Sequence, residues 1–182
     1  MIRQIKTYLN SECELLQMLD CEAITQAVNL IRDVRENSKT IYTCGNGGSA
    51  ATASHFACDF GKGATMKLSG KPFKWICLND NIPILTAISN DISYDDCFAF
   101  QINNLMQEGD VLFAISGSGN SKNIIRAAEA AKEKGCRIIG LTGFDGGKLK
   151  MLSDIFLHVP INDMQLTEDV HMILDHLMLR IV

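Results

Sequence analysis

The chain has 182 residues, 47% of them apolar, which is enough for one α/β domain with a substantial core, and no proline-rich or low-complexity linker divides it. Its 17 basic and 21 acidic residues give a net charge of −4, which excludes the broad basic field of a nucleic-acid binder. Seven cysteines without a CxxC pair, no signal-peptide core around Arg3 and Lys6, and no apolar run near the roughly 20 residues of a membrane span together read as a cytoplasmic protein with reduced thiols.

Residues 2–35 read as helical. Leu9, Leu15, Leu16, Leu19, Ile24, Val28 and Ile31 recur at three- and four-residue steps, with a break near Asp20-Cys21. A pair of N-terminal helices over 1–36 is therefore expected ahead of an α/β core over 37–182, the whole being one domain. Short apolar runs then alternate with helical segments. Thr40–Cys44, Phe73–Leu78, Asp110–Ile115, Arg137–Leu141 and Asp154–Val159 are the expected strands, and the helices between them imply a parallel sheet covered on both faces. Residues 165–182 form a final helix rich in Met, Leu and Ile.

Two of the strand-to-helix connections are polar and glycine-rich. Thr40–Cys44 runs into Gly45-Asn46-Gly47-Gly48-Ser49 and a helix expected over 51–60; Asp110–Ile115 runs into Ser116-Gly117-Ser118-Gly119-Asn120-Ser121 and a helix over 122–134. Backbone N–H groups at a helix start are unsatisfied and carry the positive end of the helix dipole, so such a loop suits an anion. An ordinary turn with a serine cap explains one such loop equally well. Two of them at the carboxyl edge of one sheet favour a single phosphorylated ligand held at both ends. Neither loop matches GxxxxGK[ST] or GxGxxG, which argues against a nucleoside triphosphate or dinucleotide and for a small sugar phosphate.

The ionisable candidates lie on two helices. His55 and Asp59 share a face at i,i+4 spacing, able to reach one metal ion or substrate, or simply to bond each other at the surface. On the last helix Glu168, His171, Asp175 and His176 interrupt an apolar stretch, where charged side chains need partners. Glu168 and His176 are about two turns apart and can converge on one site. His171 and Asp175 are expected to form a structural hydrogen bond, and His158 to serve packing or an interface.

Taken in order, Cys44-Gly-Asn-Gly-Gly-Ser49, His55-Phe-Ala-Cys-Asp59, Ile88-Ser-Asn-Asp91, Gly109-Asp-Val-Leu112, Ile115-Ser-Gly-Ser-Gly-Asn-Ser121, Leu141-Thr-Gly-Phe-Asp-Gly-Gly147 and Glu168-Asp-Val-His171 with His176 resemble the sugar isomerase (SIS) domain family, most of all its phosphoheptose isomerases. The resemblance implies a five-stranded parallel sheet of flavodoxin-like type and a homotetramer. It also implies an aldose–ketose isomerase that converts sedoheptulose 7-phosphate to D-glycero-D-manno-heptose 7-phosphate for cell-envelope sugars. By the same resemblance Asn46, Gly47, Gly48, Ser49, Asn90 and Asp91 contact the sugar, Ser116, Gly117, Ser118 and Ser121 hold the phosphate, and His55, Asp59, Glu168 and His176 are ligands of one Zn²⁺, with Asp59 and Glu168 also touching substrate. Asp59 stands where a glutamate is usual and Glu168 where a glutamine is usual. Asp59 is assigned as the base at carbon and His176 as its partner at the sugar oxygens, roles that can be exchanged. Two alternatives stay open on the residues: an isomerase of another sugar phosphate, and a non-catalytic SIS-domain binding protein of the kind that associates with a replication initiator.

Overall fold

A computed structural model describes residues 1–182. Helices α1 (Ile2–Gln17) and α2 (Cys21–Glu36) open the chain. The break between them is set by Asp20, whose carboxylate accepts hydrogen bonds from the backbone N–H groups of Glu22 and Ala23 and so starts a new helix. Strand β1 (Thr40–Cys44) leads into α3 (Gly48–Cys58), a π-helical turn over Asp59–Ala64 and the single turn α4 (Thr65–Lys67). Strand β2 (Lys74–Cys77), α5 (Ile82–Asp91), a 3₁₀ turn at Tyr94–Asp96 and α6 (Ala99–Leu105) follow. The rest alternates: β3 (Val111–Ser116), α7 (Lys122–Glu133), β4 (Arg137–Thr142), α8 (Gly147–Leu152), β5 (Ile155–His158) and α9 (Met164–Ile181).

All five expected strands are present, with ends that move by at most one residue. The helix expected over 51–60 is displaced: it begins at Gly48, and at Asp59 the winding widens into the π turn. Gly61 and Gly63 lie inside that turn, where the absence of side chains eases the wider winding.

The strands are parallel throughout, in the order β2-β1-β3-β4-β5. The chain leaves β1 toward one edge and resumes at β3 toward the other, so the carboxyl ends of β1 and β3 form the switch point at which open α/β sheets bind ligands. Side chains alternate faces along β3. Val111, Phe113 and Ile115 enter the core shared with α1, α2, α3 and α9, while Leu112 and Ala114 enter the core shared with α5 to α8. No helix is long and apolar enough to cross a membrane.

Candidate functional site

The Ser116–Ser121 loop is held as a rigid cradle. Gly117 O accepts from Gly143 N–H at 2.8 Å and Gly119 O accepts from Leu149 N–H at 3.0 Å. Gly119 has φ +65°, and a Cβ there would collide with the Gly146 carbonyl, so only glycine fits. Inside the cradle the Ser116 hydroxyl donates to Ser121 Oγ at 3.2 Å, and Ser118 Oγ accepts from Asn120 N–H at 3.2 Å. Ser121 occupies the N-cap of α7, yet its hydroxyl makes no cap hydrogen bond. The first N–H groups of a 12-residue helix are thus left facing the cradle, which is what an anion requires.

The first loop is joined to this cradle by side-chain amides. Asn46 and Asn123 exchange two hydrogen bonds of 2.9 Å, and Tyr94 donates to Asn46 Oδ1 at 2.7 Å. Asn123 and Tyr94 were not singled out in the sequence; Asn123 sits in the first turn of a helix and Tyr94 in a connecting turn, positions that carry no motif. Gly47 starts α3 with φ +55°. Gly48 leaves the room occupied by the Glu168 carboxylate, whose oxygens stand where a Cβ would be. Asn90 and Asp91, at the end of α5, bond each other at 2.8 Å and make no hydrogen bond to either loop. Asp91 lines an apolar groove of about 400 Å³ with Ile84, Ile88, Ile92 and Phe100.

The start of α9 crosses all of these loops. Met164 Sδ would be 2.6 Å from a Cβ on Gly117, Thr167 packs on Gly143, and Glu168 packs on Gly48. Farther along, Leu166, Val170, Leu174 and Met178 bury one face of the helix in the core, and Thr167, His171 and Asp175 form a buried polar stripe beside it. On α3 and the π turn that follows it, Phe56 and Phe60 anchor the opposite side: Phe56 lies 4.7 Å from Phe113 and Phe60 4.4 Å from Trp75, ring centre to ring centre. Their neighbours in sequence, His55 and Asp59, are thereby turned toward α9.

The two helices bring His55, Asp59, Asp175 and His176 together, each offering one donor atom, all within 4.8 Å of one another. His55 Nε2 is 3.1 Å from His176 Nε2, 3.7 Å from Asp59 Oδ2 and 3.8 Å from Asp175 Oδ2. Two imidazoles and two carboxylates suit Zn²⁺, and 3.1 Å is close to the separation of about 3.3 Å between two donors on one tetrahedral ion with bonds of about 2.0 Å. The Asp175 carboxylate supplies a further sign: it is wholly buried and neither oxygen has a hydrogen-bond partner. Burial, and then the Asp59 charge, raise its carboxyl to about 7.

Of the residues expected from the sequence as metal ligands, three meet here; Glu168 stands instead at the start of α3, where the helix dipole favours a negative group. The hydrogen bond expected between His171 and Asp175 is absent. Both side chains point inward from α9, but Asp175 faces α3, and the ring nitrogens of His171 are left without partners in the interior. Burial lowers His171 to about 4, and the Thr142 backbone, close by but outside hydrogen-bonding geometry, offsets only part of this. His158 packs as expected, stacked on Phe156 with Nε2 at 3.0 Å from Phe144 O.

A doubly covered parallel sheet with two anion-type loops at its switch point places the chain among open α/β ligand-binding domains, and the model of the SIS domain family matches residues 7–143. The chain belongs to the SIS-domain family. Its relatives include the phosphoheptose isomerase of Helicobacter pylori, 43% identical over 86% of this chain and 81% of the relative. That of Aliarcobacter butzleri is 38% identical over 98% of this chain and 94% of the relative. Among solved structures, the phosphoheptose isomerase of Neisseria gonorrhoeae superposes with a TM-score of 0.90 at 34% identity, covering 98% of this chain and 96% of its own. That of Francisella tularensis gives 0.91 at 30% identity, covering 99% and 96%.

Proposed function

We propose that the chain is a phosphoheptose isomerase, converting sedoheptulose 7-phosphate to D-glycero-D-manno-heptose 7-phosphate for cell-envelope sugars in the cytoplasm. The observation that carries this reading is the convergence of His55, Asp59 and His176 beside α9, the same helix whose start lies across both anion-type loops. Full-length relatives named phosphoheptose isomerase favour it over a non-catalytic binding protein. In this reading residues 1–182 form one domain.

In this reading the phosphate rests in the Ser116–Ser121 cradle, against the N–H groups that begin α7 and the hydroxyls of Ser116, Ser118 and Ser121, with Gly117 admitting it close to the backbone. Its binding energy orients the far end of the open-chain sugar. Gly47, Gly48 and Ser49 border the sugar; Asn46 fixes the first loop to α7. Asp59 removes a proton from C1 of the ketose while His176 delivers one to the C2 carbonyl oxygen, giving the enediol. His176 then takes the proton from the C1 oxygen, and Asp59 returns its proton to C2. Both groups end as they began. When bound, a Zn²⁺ would be held by His55, Asp59 and His176 and would supply Lewis-acid polarisation of the sugar oxygens in place of the proton on His176.

Assembly belongs to the same reading. Ile2, Ile5 and Leu9 on α1, and Ile84, Ile92, Phe100 and Leu105 around α5 and α6, are exposed apolar side chains in quantity that a lone domain gains nothing by showing to water. Four copies cover them in a homotetramer, and Asn90 and Asp91, remote from the loops by hydrogen bonding within one chain, reach a neighbour's sugar. Incubation with sedoheptulose 7-phosphate, with and without Zn²⁺, tests the function: appearance of the aldose 7-phosphate supports it. Tight binding without turnover would favour the binding-protein reading.

A further inference from the structure

We infer that Asp175 is a ligand of the cation in this chain, taking the fourth place that the family resemblance gives to Glu168; this rests on the reading that the cluster holds a metal ion. A buried carboxylate needs a cation or several donors, because losing its hydration is costly. Asp175 has no hydrogen bond at either oxygen, its side chain is 0% exposed, and the groups that face it are His55 at 3.8 Å, Asp59 and His176. None of these satisfies it unaided. At 3.8 Å the His55 ring is beyond hydrogen-bonding distance, and Asp59 is a second carboxylate. A divalent ion among the four satisfies both carboxylates at once and uses the 3.1 Å approach of the two Nε2 atoms.

Position along α9 accounts for the exchange. Asp175 and His176 are consecutive residues, about 100° apart around the helix, so they normally face different surroundings. Here the buried Asp175 and the exposed His176 both reach His55 Nε2, at 3.8 and 3.1 Å, and all four donor atoms lie within 4.8 Å of one another. Glu168 lies seven residues before Asp175, a rise of about 10 Å along the helix axis at about 1.5 Å per residue, and its carboxylate is already seated on the first turn of α3 beside Gly48.

The probes are Zn²⁺ and Co²⁺ themselves, titrated into the full-length protein after chelator treatment, with affinity read by calorimetry and coordination by the visible Co²⁺ spectrum. Asp175→Asn, which preserves shape, is expected to weaken Zn²⁺ binding at least tenfold and to alter the Co²⁺ bands, whereas Glu168→Gln changes affinity by less than about threefold. Asp175→Cys provides a second measurement, independent of stability losses in the first variant. A thiolate placed at the ion adds a near-ultraviolet sulfur-to-cobalt charge-transfer band that the unaltered protein lacks. Unchanged binding in Asp175→Asn, or no such band in Asp175→Cys loaded with Co²⁺, overturns the assignment, and so does a loss in Glu168→Gln equal to that in Asp175→Asn. An unaltered protein that takes up neither ion overturns the cation reading itself.

Discussion

His176 is the residue on which the proposed chemistry depends most and the fold least, since its side chain is exposed at the end of the buried stripe on α9. His176→Asn is therefore expected to lower kcat on the order of a hundredfold or more while phosphate affinity at the Ser116–Ser121 cradle stays within about threefold and the melting temperature is unchanged. Steady-state kinetics and phosphate titration check this; near-normal turnover would remove His176 from the mechanism. His171 behaves in the opposite way. It is buried and neutral, lowered from 6.5 to about 4, so the stability it contributes is present above pH 6.5 and is lost as pH falls toward 4. Asp175 runs against it: raised from 3.8 to about 7, its contribution is present below 3.8 and is lost as pH rises toward 7. Comparison with His171→Asn isolates the first effect. Between pH 6.5 and 4, chemical denaturation should show the unaltered protein losing on the order of 3 kcal/mol relative to that variant, and parallel pH profiles would contradict it. His55, Asp59 and His176 were legible in the sequence because helical spacing and motif agree on them. Asp175 was not: its i,i−4 neighbour His171 suggested a local bond, but packing of α9 against both the sheet and α3 sends the two side chains to different surroundings.

At the level of elements, the cradle depends on backbone shape rather than on any one hydroxyl. Gly119→Ala forces a side chain into a left-handed backbone at φ +65° and onto the Gly146 carbonyl, which anchors the start of α8. The expected cost is about 2–4 kcal/mol in stability, with a clear loss of phosphate affinity because the N–H groups of α7 no longer converge. Thermal unfolding and anion titration measure the two effects, and an unchanged affinity would mean that the anion sits elsewhere. The strands could be read from their apolar runs, since burial on both faces leaves β3 without a polar position before its last residue. The start of α3 could not. Gly47 and Gly48 have poor helix propensity and read as loop, yet Gly48 lies within the helix because Glu168 needs the space a side chain would fill. The π turn at Asp59 was equally hidden, as widened winding leaves no periodic signature over so few residues.

For the whole molecule, the exposed apolar surfaces of α1, α5 and α6 set the expectation for assembly. Light scattering should give a mass of about 80 kDa for four 20.1 kDa chains, with activity falling on dilution below the assembly constant. A fully active monomer would contradict that. That the sheet is parallel followed from strand-helix alternation, whereas its strand order and the tying of the two loops by Asn46, Asn123 and Tyr94 depend on contacts far apart in sequence. Isomerisation in deuterium oxide tests the proposed reaction most directly. Sedoheptulose 7-phosphate should yield an aldose 7-phosphate carrying deuterium at C2 by NMR and mass spectrometry, with the rate reduced on the order of a hundredfold or more in Asp59→Asn. No aldose and no exchange at C1 in the unaltered, Zn²⁺-supplemented protein would contradict it.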